Sequence, residues 1–269
     1  MEFLLPVAFT LLTWWATTLL MLRRSTRARL RCPVTLAGIS VIALAGLAGM
    51  VLLRDQATEL AAYGAFVSGL AVWAWLELTY FLGWITGPRP EACPPSLTTA
   101  RRFIYGIKTS LYHELSIVLA ALLILAINHG AVNQVGMWTF MILWLMRWSA
   151  KLNIFLGVRN LHHEFWPEHL QYLGSYVREA GMNPLFPWSM LGAAIGLAWL
   201  INGAFSAQPG SMEYTGGLIL ATLLALAALE HVFLVIRVPD AVLWRWASDS
   251  TSPLATSHMN AEVRAGEGS

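Results

Sequence analysis

The chain has 269 residues, of which 57% are hydrophobic and 12% charged, and its formal net charge at pH 7 is +2. Its mean hydropathy is +0.58. These values exclude an ordinary water-soluble domain, because a fold of this length has too little interior to hide so much apolar surface. The sequence also shows no basic patch of the kind that binds nucleic acid, because the basic residues are few and are spread among the connections between apolar stretches. The composition indicates that lipid surrounds most of the chain.

Seven stretches are long and apolar enough to cross a membrane. A helix needs about 20 residues to cross roughly 30 Å of hydrocarbon, and a helix satisfies its own backbone polar groups there. In chain order the predicted spans are residues 3–22, 33–53, 60–86, 109–128, 137–157, 188–206 and 217–237. The predicted fold is therefore an all-α, polytopic membrane helical bundle of about seven transmembrane helices, in which residues 1–240 form a single transmembrane domain.

The cations lie on one side of these predicted spans. Five arginines follow the first span, and further arginines and lysines follow the third, fifth and seventh spans. The connections on the opposite side carry only Arg54. The positive-inside rule then predicts an N-terminus outside the cytoplasm and a cytoplasmic C-terminus. Both cysteines, Cys32 and Cys93, fall on the predicted cytoplasmic side, so no disulfide is expected.

The predicted cytoplasmic side also carries the longest connections. Residues 87–108 open with a proline-rich run that predicts an extended loop. Within residues 158–187, apolar side chains recur at helical spacing from Trp166 to Val177, which predicts an interfacial helix near residues 166–180. The last residues, 248–269, are rich in small and polar side chains, which predicts a disordered cytoplasmic tail.

Ionisable residues also occur inside the predicted spans, where each costs about 2.5–3.5 kcal/mol on insertion scales. Measured from the predicted cytoplasmic ends, they fall at a similar depth, which predicts one buried polar layer. Its predicted members are Glu77, His113, Glu114, Arg147, Lys151, Glu230 and His231. A predicted continuation of the layer into the inner loop comprises Asn153, Arg159, Asn160, His162, His163 and Glu164.

One interpretation of this layer is a charge-neutralising network, because Arg147 and Lys151 are four residues apart and share a helix face. A second interpretation is a transition-metal site, since histidine and carboxylate are common metal ligands. Its candidate ligands are Glu77, Glu114, His162, His163, Glu230 and His231. The spacing does not favour it, because adjacent helix residues point about 100° apart and the Glu-x-x-His repeat of di-iron bundles is absent.

A third interpretation is a (bacterio)chlorophyll-type tetrapyrrole, with His113 or His231 as the pigment ligand. The third span offers an aromatic ridge, since Trp73, Tyr80 and Trp84 lie on the same helix face as Glu77. This ridge suits either another helix or a flat pigment. The cofactor therefore stays open between none, a transition metal and a tetrapyrrole.

Several longer strings resemble a known family. They are AVWAWLELTYFLGWITGPRP (71–90), LYHEL (111–115), NQVGMWT (133–139), LMRWSAKLNIFLGVRNLHHEF (145–165), PEHLQYL (167–173) and MNPLFP (182–187). In these strings the chain resembles the PuhE-type photosynthetic complex assembly protein family of purple phototrophic bacteria. The resemblance covers residues 1 to about 240 and implies an inner (intracytoplasmic) membrane protein. It also implies a gene near those for the reaction-centre H subunit and the aerobic cyclase of bacteriochlorophyll synthesis.

The resemblance implies a role in assembly and brings no catalytic motif. The first functional hypothesis is therefore a non-enzymatic assembly or scaffold factor. It would bind a reaction-centre or light-harvesting subunit, or a bacteriochlorophyll biosynthesis enzyme, through loops 87–108 and 158–187. The alternatives are a metal-containing membrane enzyme subunit that aids the aerobic cyclase, and a pigment carrier. The expected partners are the lipid bilayer and one such membrane protein, and no nucleic acid.

Overall fold

A computed structural model describes residues 2–25, 32–160, 167–178 and 180–236. Every regular element in these residues is helical. The elements are α1 (Leu4–Ser25), α2 (Pro33–Leu53), α3 (Glu59–Phe81), α4 (Thr99–Thr109), α5 (Leu111–Asn128), α6 (Val135–Leu156), a 3-10 helix (Glu168–Tyr176), α7 (Leu185–Ser206) and α8 (Met212–Val235). The all-α membrane bundle expected from the sequence is confirmed at this level.

Helix α3 occupies the centre of the bundle and contacts α1, α2, α5, α6 and α8. It begins after Thr58, whose side chain accepts a hydrogen bond from the amide of Ala61 and caps the first turn. It ends at Phe81, five residues before the end of the predicted span. The physical reason is Gly83, which takes a φ of 74° that terminates a right-handed helix.

One end of the bundle consists of tight turns, and we call it the short-turn end. There the Arg54 guanidinium donates to the carbonyls of Ile127 at 2.7 Å and His129 at 3.0 Å. The Asn133 side chain donates to the carbonyl of Ala61 at 3.0 Å. These bonds join the connections α2–α3 and α5–α6, because helix termini leave carbonyls that need a donor.

The opposite end, which we call the loop-rich end, holds residues 82–110 and 157–184. Asn160 ties it to α8, with its backbone amide 3.1 Å from the carbonyl of Leu234. Asn183 ties the end of α6 to the start of α7 through its carboxamide, which bonds the carbonyls of Asn153 and Gly157. The connections at this end are thus fixed to the helices that they join.

The long helices alternate in direction between these two ends. At the short-turn end, Phe9 near the start of α1 contacts Tyr63 near the start of α3, with ring centroids 4.9 Å apart. Toward the other end, the indole of Trp75 donates to Ser40 Oγ at 2.9 Å, so α2 runs antiparallel to α3. Seven helices of the described part are 18 residues or longer. Six have the length and composition of membrane spans, and α6 is the seventh long helix.

Helix α6 carries two basic residues, Arg147 and Lys151, away from its ends. It nevertheless extends from the short-turn end, where Val135 lies against Gly216 at the start of α8, to the loop-rich end. Near that end Asn153 donates to Ser189 Oγ at the start of α7. Helix α6 therefore runs the length of the bundle from one end to the other.

Three segments at the loop-rich end pack together: the loop 82–98, helix α4 and the 3-10 helix. We call this unit the loop platform. The Tyr176 hydroxyl accepts a hydrogen bond from Arg89 Nε at 3.2 Å and donates to the carbonyl of Glu91 at 3.0 Å. Ser175 Oγ accepts from the amide of Cys93 at 2.7 Å. The platform therefore joins segments that lie more than 80 residues apart in the chain.

The platform departs from the sequence-based expectation in two ways. Residues 87–98 form the predicted opening loop, but the segment then continues as helix α4, which was not predicted and is amphipathic. The interfacial helix predicted near residues 166–180 is a 3-10 helix over Glu168–Tyr176, and Trp166 lies outside the described residues. The predicted tail, 248–269, also lies outside the described residues.

Candidate functional site

Three helices bring charged side chains together inside the bundle, toward the loop-rich end. Glu77 lies on α3, Glu114 on the first turn of α5, and Arg147 and Lys151 on successive turns of α6. Glu77 is only 8% exposed. We call these four side chains the ion network. Glu77, Glu114 and Arg147 are largely enclosed because α3, α5 and α6 pack against one another, whereas the Lys151 side chain is 37% exposed.

Arg147 is the centre of the ion network. Its Nε lies 2.7 Å from Glu77 Oε1, and its Nη1 lies 3.0 Å from Glu114 Oε1. One guanidinium therefore bridges the carboxylates of two helices, which its forked, planar donor set suits better than an ammonium. Arg147 thereby cross-links α3 and α5 from α6.

Glu114 has further polar partners besides Arg147. The Lys151 ammonium contacts Glu114 Oε1 and also donates to Ser110 Oγ at 3.1 Å. The indole of Trp148 donates to Glu114 Oε2 at 2.8 Å. Both oxygens of this carboxylate thus accept hydrogen bonds, as a buried carboxylate requires.

An aromatic wall closes one side of the ion network. The Tyr80 ring lies 5.7 Å from the Arg147 guanidinium carbon and 5.6 Å from Lys151 Nζ, within the range of cation–π attraction. The same ring stacks at 4.6 Å on His113, which is fully buried. His113 Nε2 lies 3.5 Å from Glu77 Oε1. Two carboxylates face two cations here, so the charges balance when all four groups are ionised.

Local sequence explains why these groups converge. Arg147 and Lys151 are four residues apart, so they lie one turn above another on the same face of α6. Glu77 and Tyr80 are three residues apart, a spacing that also places two side chains on one face of a helix. Ser110 interrupts the helix between α4 and α5, which lets its hydroxyl reach Lys151.

The structure does not bring the two predicted α8 members into the ion network. His231 is buried and bonds Ser149 Oγ of α6 at 3.0 Å and the carbonyl of Ala227 at 2.8 Å, so it links α8 to α6. Glu230 is exposed on the outside of α8. The reason is geometric, since adjacent residues of a helix point about 100° apart and only one of the two faces inward.

The predicted inner-loop continuation is dispersed. Asn153 bonds Ser149 and Ser189, while Asn160 Nδ2 donates to the carbonyl of Phe233 at 2.7 Å. The Arg159 guanidinium passes near Gly181. Asn153 and Asn160 tie helix ends together, and none of the three residues extends the ion network. His162, His163 and Glu164 lie outside the described residues.

The metal and pigment interpretations can be compared with this geometry. Within the described residues, no group of three or more His, Cys, Asp or Glu side chains is placed to hold a metal ion. Of the six candidate ligands, Glu77 and Glu114 face cations, Glu230 and His231 lie on α8, and His162 and His163 lie outside the described residues. His113 is enclosed by Tyr80 and Glu77, and His231 by Ser149 and Ala227.

Sequence reasoning missed four polar side chains that support the site: Ser110, Trp148, Ser149 and Asn183. Ser110 and Trp148 contact the ion network directly. Asn183 is buried, and its side chain makes four backbone contacts. Only Asn183 carried a sequence signal, because an asparagine directly before Pro184 is a common helix-initiating pattern.

The fold and the ion network together define a multi-pass helical membrane protein in which charges of α3, α5 and α6 pair within the bundle. The chain belongs to the family described as protein of unknown function DUF3623, which matches residues 1–254. A Rhodobacter capsulatus protein, described as "Uncharacterized 30.4 kDa protein in puhA 5'region", is 35% identical over 241 residues, or 88% of each chain. No solved structure matches the chain.

Proposed function

We propose that this protein is a non-catalytic assembly or scaffold factor of the PuhE type for the photosynthetic apparatus of a purple phototrophic bacterium. In this proposal it crosses the inner membrane seven times, with its N-terminus periplasmic and the loop platform cytoplasmic. The platform binds a client, which is a reaction-centre or light-harvesting subunit or an enzyme of bacteriochlorophyll synthesis. The description of the Rhodobacter capsulatus relative as a protein of the puhA 5' region supports a place in a photosynthesis gene cluster.

The observation that carries the proposal is the direct attachment of the platform to the ion network. Ser110 ends α4 and begins α5, and its hydroxyl accepts from Lys151 of the network. Close by, the amide of His113 donates to the carbonyl of Thr86 at 3.0 Å. Ion pairs that bridge several helices restrain the elements that they join. The network therefore serves to hold the platform in one orientation.

Close backbone packing gives a second attachment. A Cβ atom at Gly87 would lie 2.2 Å from the carbonyl oxygen of Lys108 and 2.5 Å from the carbonyl carbon of Thr109. Only glycine permits this approach, so the loop is seated directly on the end of α4. A rigid platform suits a scaffold, because a preorganised surface loses little entropy when a client binds.

The exposed surface of α4 is suited to a client at the membrane surface. Phe103, Ile104 and Ile107 are exposed, and Arg101 and Lys108 are exposed beside them. Such a combination of apolar and basic side chains binds partners through apolar contact and attraction to acidic groups. The proposed client surface is therefore apolar with acidic residues at its edge.

The test is complementation in a purple phototroph whose chromosomal copy of this gene is deleted. The measured quantity is the near-infrared absorbance of assembled photosynthetic complexes per milligram of membrane protein. We expect the deletion to lower it and the wild-type gene to restore it. The double variant Arg101→Glu/Lys108→Glu should restore much less, because it reverses the charge of the platform while leaving the ion network intact.

The matched control is Asp55→Lys/Glu213→Lys, which reverses two exposed charges at the short-turn end. It should complement like the wild type. Immunoblots must show equal amounts of each variant in the membrane. Normal complex levels in the deletion strain under all growth conditions would refute the assembly role. Equal complementation by both double variants would refute the platform as its client surface.

A further inference from the structure

An open groove lies at the short-turn end, between the start of α6, the end of α7 and the start of α8. Its volume is about 380 Å³, and its lining is mostly apolar. Two of the lining residues are Trp138 on α6 and Trp199 on α7, whose ring centroids lie 6.5 Å apart. Trp138 is 41% exposed and Trp199 66% exposed, so the groove faces away from the bundle. In a membrane it therefore opens toward lipid.

Glycines at the start of α8 explain why the groove forms. A Cβ atom at Gly216 would lie 2.5 Å from Val135 Cγ2 of α6. One at Gly217 would lie 2.8 Å from Ala204 Cβ of α7. Helix α8 therefore packs closely against both neighbours at this end. The next residue of α7, Gly203, is exposed, and a Cβ there would meet no atom within 4 Å, so the space beside it stays open.

Three polar side chains line the groove as well: Gln134 before α6, Asn202 on α7 and Glu213 on α8. Glu213 is exposed and, within the described part of the chain, makes no hydrogen bond or ion pair. As the second residue of α8 it lies at the positive end of the helix dipole, which favours a negative charge. The Gln134 side-chain nitrogen donates to the carbonyl of Ala131 at 3.3 Å, which leaves its oxygen as an acceptor.

The shape of the groove favours an acyl chain as its occupant. An apolar groove that faces lipid does not stay empty, because its lining would lose van der Waals contacts. Its size does not suit a transmembrane helix, since a cylinder about 10 Å across fills this volume within about 5 Å of its length, which is less than one helical turn. An acyl chain is narrow and flexible, and lipid surrounds the protein on all sides.

The polar side chains favour one headgroup. A primary ammonium group offers N–H donors to Glu213 and Gln134, whereas choline has none and phosphatidylglycerol is negative overall. A second copy brings no such group. Among the described residues, Arg54 is the one lysine or arginine at the short-turn end, and its guanidinium is held by the carbonyls of Ile127 and His129. Charge complementarity therefore favours ethanolamine.

We infer that this groove binds one phosphatidylethanolamine molecule of the leaflet at the short-turn end, with an acyl chain along Trp138 and Trp199 and its ammonium group at Glu213. Exposed indoles suit this position, because tryptophan rings commonly lie among lipids near the membrane surface. The site goes beyond the proposed function, which concerns the loop platform at the opposite end. The assembly role does not depend on this lipid, so the control variant at the short-turn end keeps its expected outcome in the complementation test.

The test is native mass spectrometry of the purified full chain in detergent. The protein is titrated with phosphatidylethanolamine, phosphatidylcholine or phosphatidylglycerol of identical acyl chains, and the apparent dissociation constant of the first bound lipid is measured. We expect phosphatidylethanolamine to bind about two- to fivefold more tightly than the other two lipids, as for an exposed ion pair. Glycerophosphoethanolamine, which lacks the acyl chains, should not compete, because it leaves the apolar lining uncovered.

Two variants separate the headgroup from the acyl chain. Glu213→Gln should abolish the preference for phosphatidylethanolamine, whereas Asp55→Asn, which removes another exposed carboxylate at the short-turn end, should keep it. Gly203→Leu should weaken the binding of all three lipids, because the new side chain fills the groove. Its matched control is Gly192→Leu, at a second α7 glycine whose Cβ would meet no atom within 4 Å, and this variant should bind lipids like the wild type.

Equal affinities for the three lipids, or a preference that survives Glu213→Gln, would overturn the inference. Unchanged lipid binding by Gly203→Leu would overturn it too, because the bound lipid would then lie elsewhere. A dimer that Gly203→Leu dissociates would assign the groove to a second copy instead. The measurement includes no photosynthetic client, so its result is independent of the complementation test of the loop platform.

Discussion

Arg147 Nε lies 2.7 Å from Glu77 Oε1, and this contact joins α6 to α3 through two residues that are 70 positions apart in the chain. The same guanidinium reaches Glu114 on a third helix. The cation on α6 therefore determines how α3 and α5 pack against it. Because the charges cancel locally, α6 can lie inside the bundle despite two basic residues.

The first prediction concerns the removal of one partner from this pair. Arg147→Gln should lower the free energy of unfolding by about 3–5 kcal/mol, because Glu77 is then left buried without its counter-ion. The double variant Glu77→Gln/Arg147→Gln should be less destabilised than the sum of the two single variants. The measurement is unfolding in mixed detergent micelles, followed by circular dichroism.

A control for this cycle is Asp55→Asn, which removes a pair with Arg54 at the surface. The Asp55 side chain is 71% exposed. Its loss should change the free energy of unfolding by less than about 1 kcal/mol. Additive effects of Glu77→Gln and Arg147→Gln would show that the two residues are not coupled.

The second prediction concerns the contact between α3 and α6. A Cβ at Gly69 would lie 2.5 Å from the carbonyl oxygen of Gly136, and a Cβ at Gly136 would lie 2.6 Å from that of Ala65. Gly136→Ala should therefore destabilise the protein by about 1–3 kcal/mol, since backbone atoms must move apart. Thermal unfolding in detergent measures the effect.

Gly192 on α7 gives the matched control, because a Cβ there meets no atom within 4 Å. Gly192→Ala should leave the unfolding temperature unchanged or raise it slightly, given the better helix propensity of alanine. A similar loss of stability in both variants would contradict the close approach of α3 and α6.

The third prediction concerns Asn183, which joins α6 to α7. Its side-chain oxygen accepts from the amides of Leu185 and Phe186, and its side-chain nitrogen donates to the carbonyls of Asn153 and Gly157. Asn183→Ala should cost about 1–3 kcal/mol in the free energy of unfolding, because buried backbone groups lose their partners.

Asn183→Asp should fall between the wild type and Asn183→Ala, since a carboxylate keeps the helix cap but cannot donate to the two carbonyls. Asn202→Ala, at an exposed position on α7, is the control and should be neutral. If Asn183→Asp is as stable as the wild type, the two bonds to the carbonyls contribute nothing.

The fourth prediction concerns the loop platform. Tyr176→Phe removes the hydroxyl that bonds Arg89 and the carbonyl of Glu91. Hydrogen exchange at the amides of Arg89 and of residues 91–93 should become faster, while exchange in α3 and α6 stays unchanged, because the lost bonds lie outside the bundle. Tyr112→Phe, at an exposed tyrosine of α5, should change neither. Unchanged exchange in both variants would remove the basis for a rigid platform.

The fifth prediction concerns topology, measured with a membrane-impermeant maleimide on spheroplasts and on inverted vesicles. The native thiols at Cys32 and Cys93 should react only in inverted vesicles. At Cys32 the Thr35 hydroxyl lies 3.2 Å from Sγ and lowers the pKa of the thiol, which favours reaction with maleimide. In a background without these cysteines, Asp55→Cys should react only in spheroplasts.

The same method tests whether α6 crosses the membrane. Val132 precedes this helix and Met182 follows it, and both side chains are exposed. Val132→Cys and Met182→Cys, each in the background without native cysteines, should be labelled from opposite sides. Labelling from the same side would leave only six crossings.

The sequence was sufficient to predict the long helices, because lipid accepts only a backbone that satisfies its own hydrogen bonds and because the apolar runs have the necessary length. It also identified the charged residues that need partners inside the membrane. Even α6 was predicted, since its two cations interrupt the apolar run without shortening it.

Local details were harder to predict. The end of α3 depends on Gly83, so the predicted span 60–86 runs five residues past that helix. The predicted span 109–128 ends with α5 and begins two residues before it, because the chain breaks at Ser110. The 3-10 helix likewise depends on contacts with residues 89–93 that no local pattern shows.

For the membrane charges, the sequence by itself determined which residues are costly, and the tertiary structure alone decided how each is paired. Glu230 and His231 illustrate the difference, because they are adjacent in the chain, both ionisable and at nearly the same depth. The rotation of α8 against α6 turns His231 toward Ser149 and leaves Glu230 outside. That rotation depends on side-chain packing along the whole helix, so it cannot be predicted from two adjacent residues.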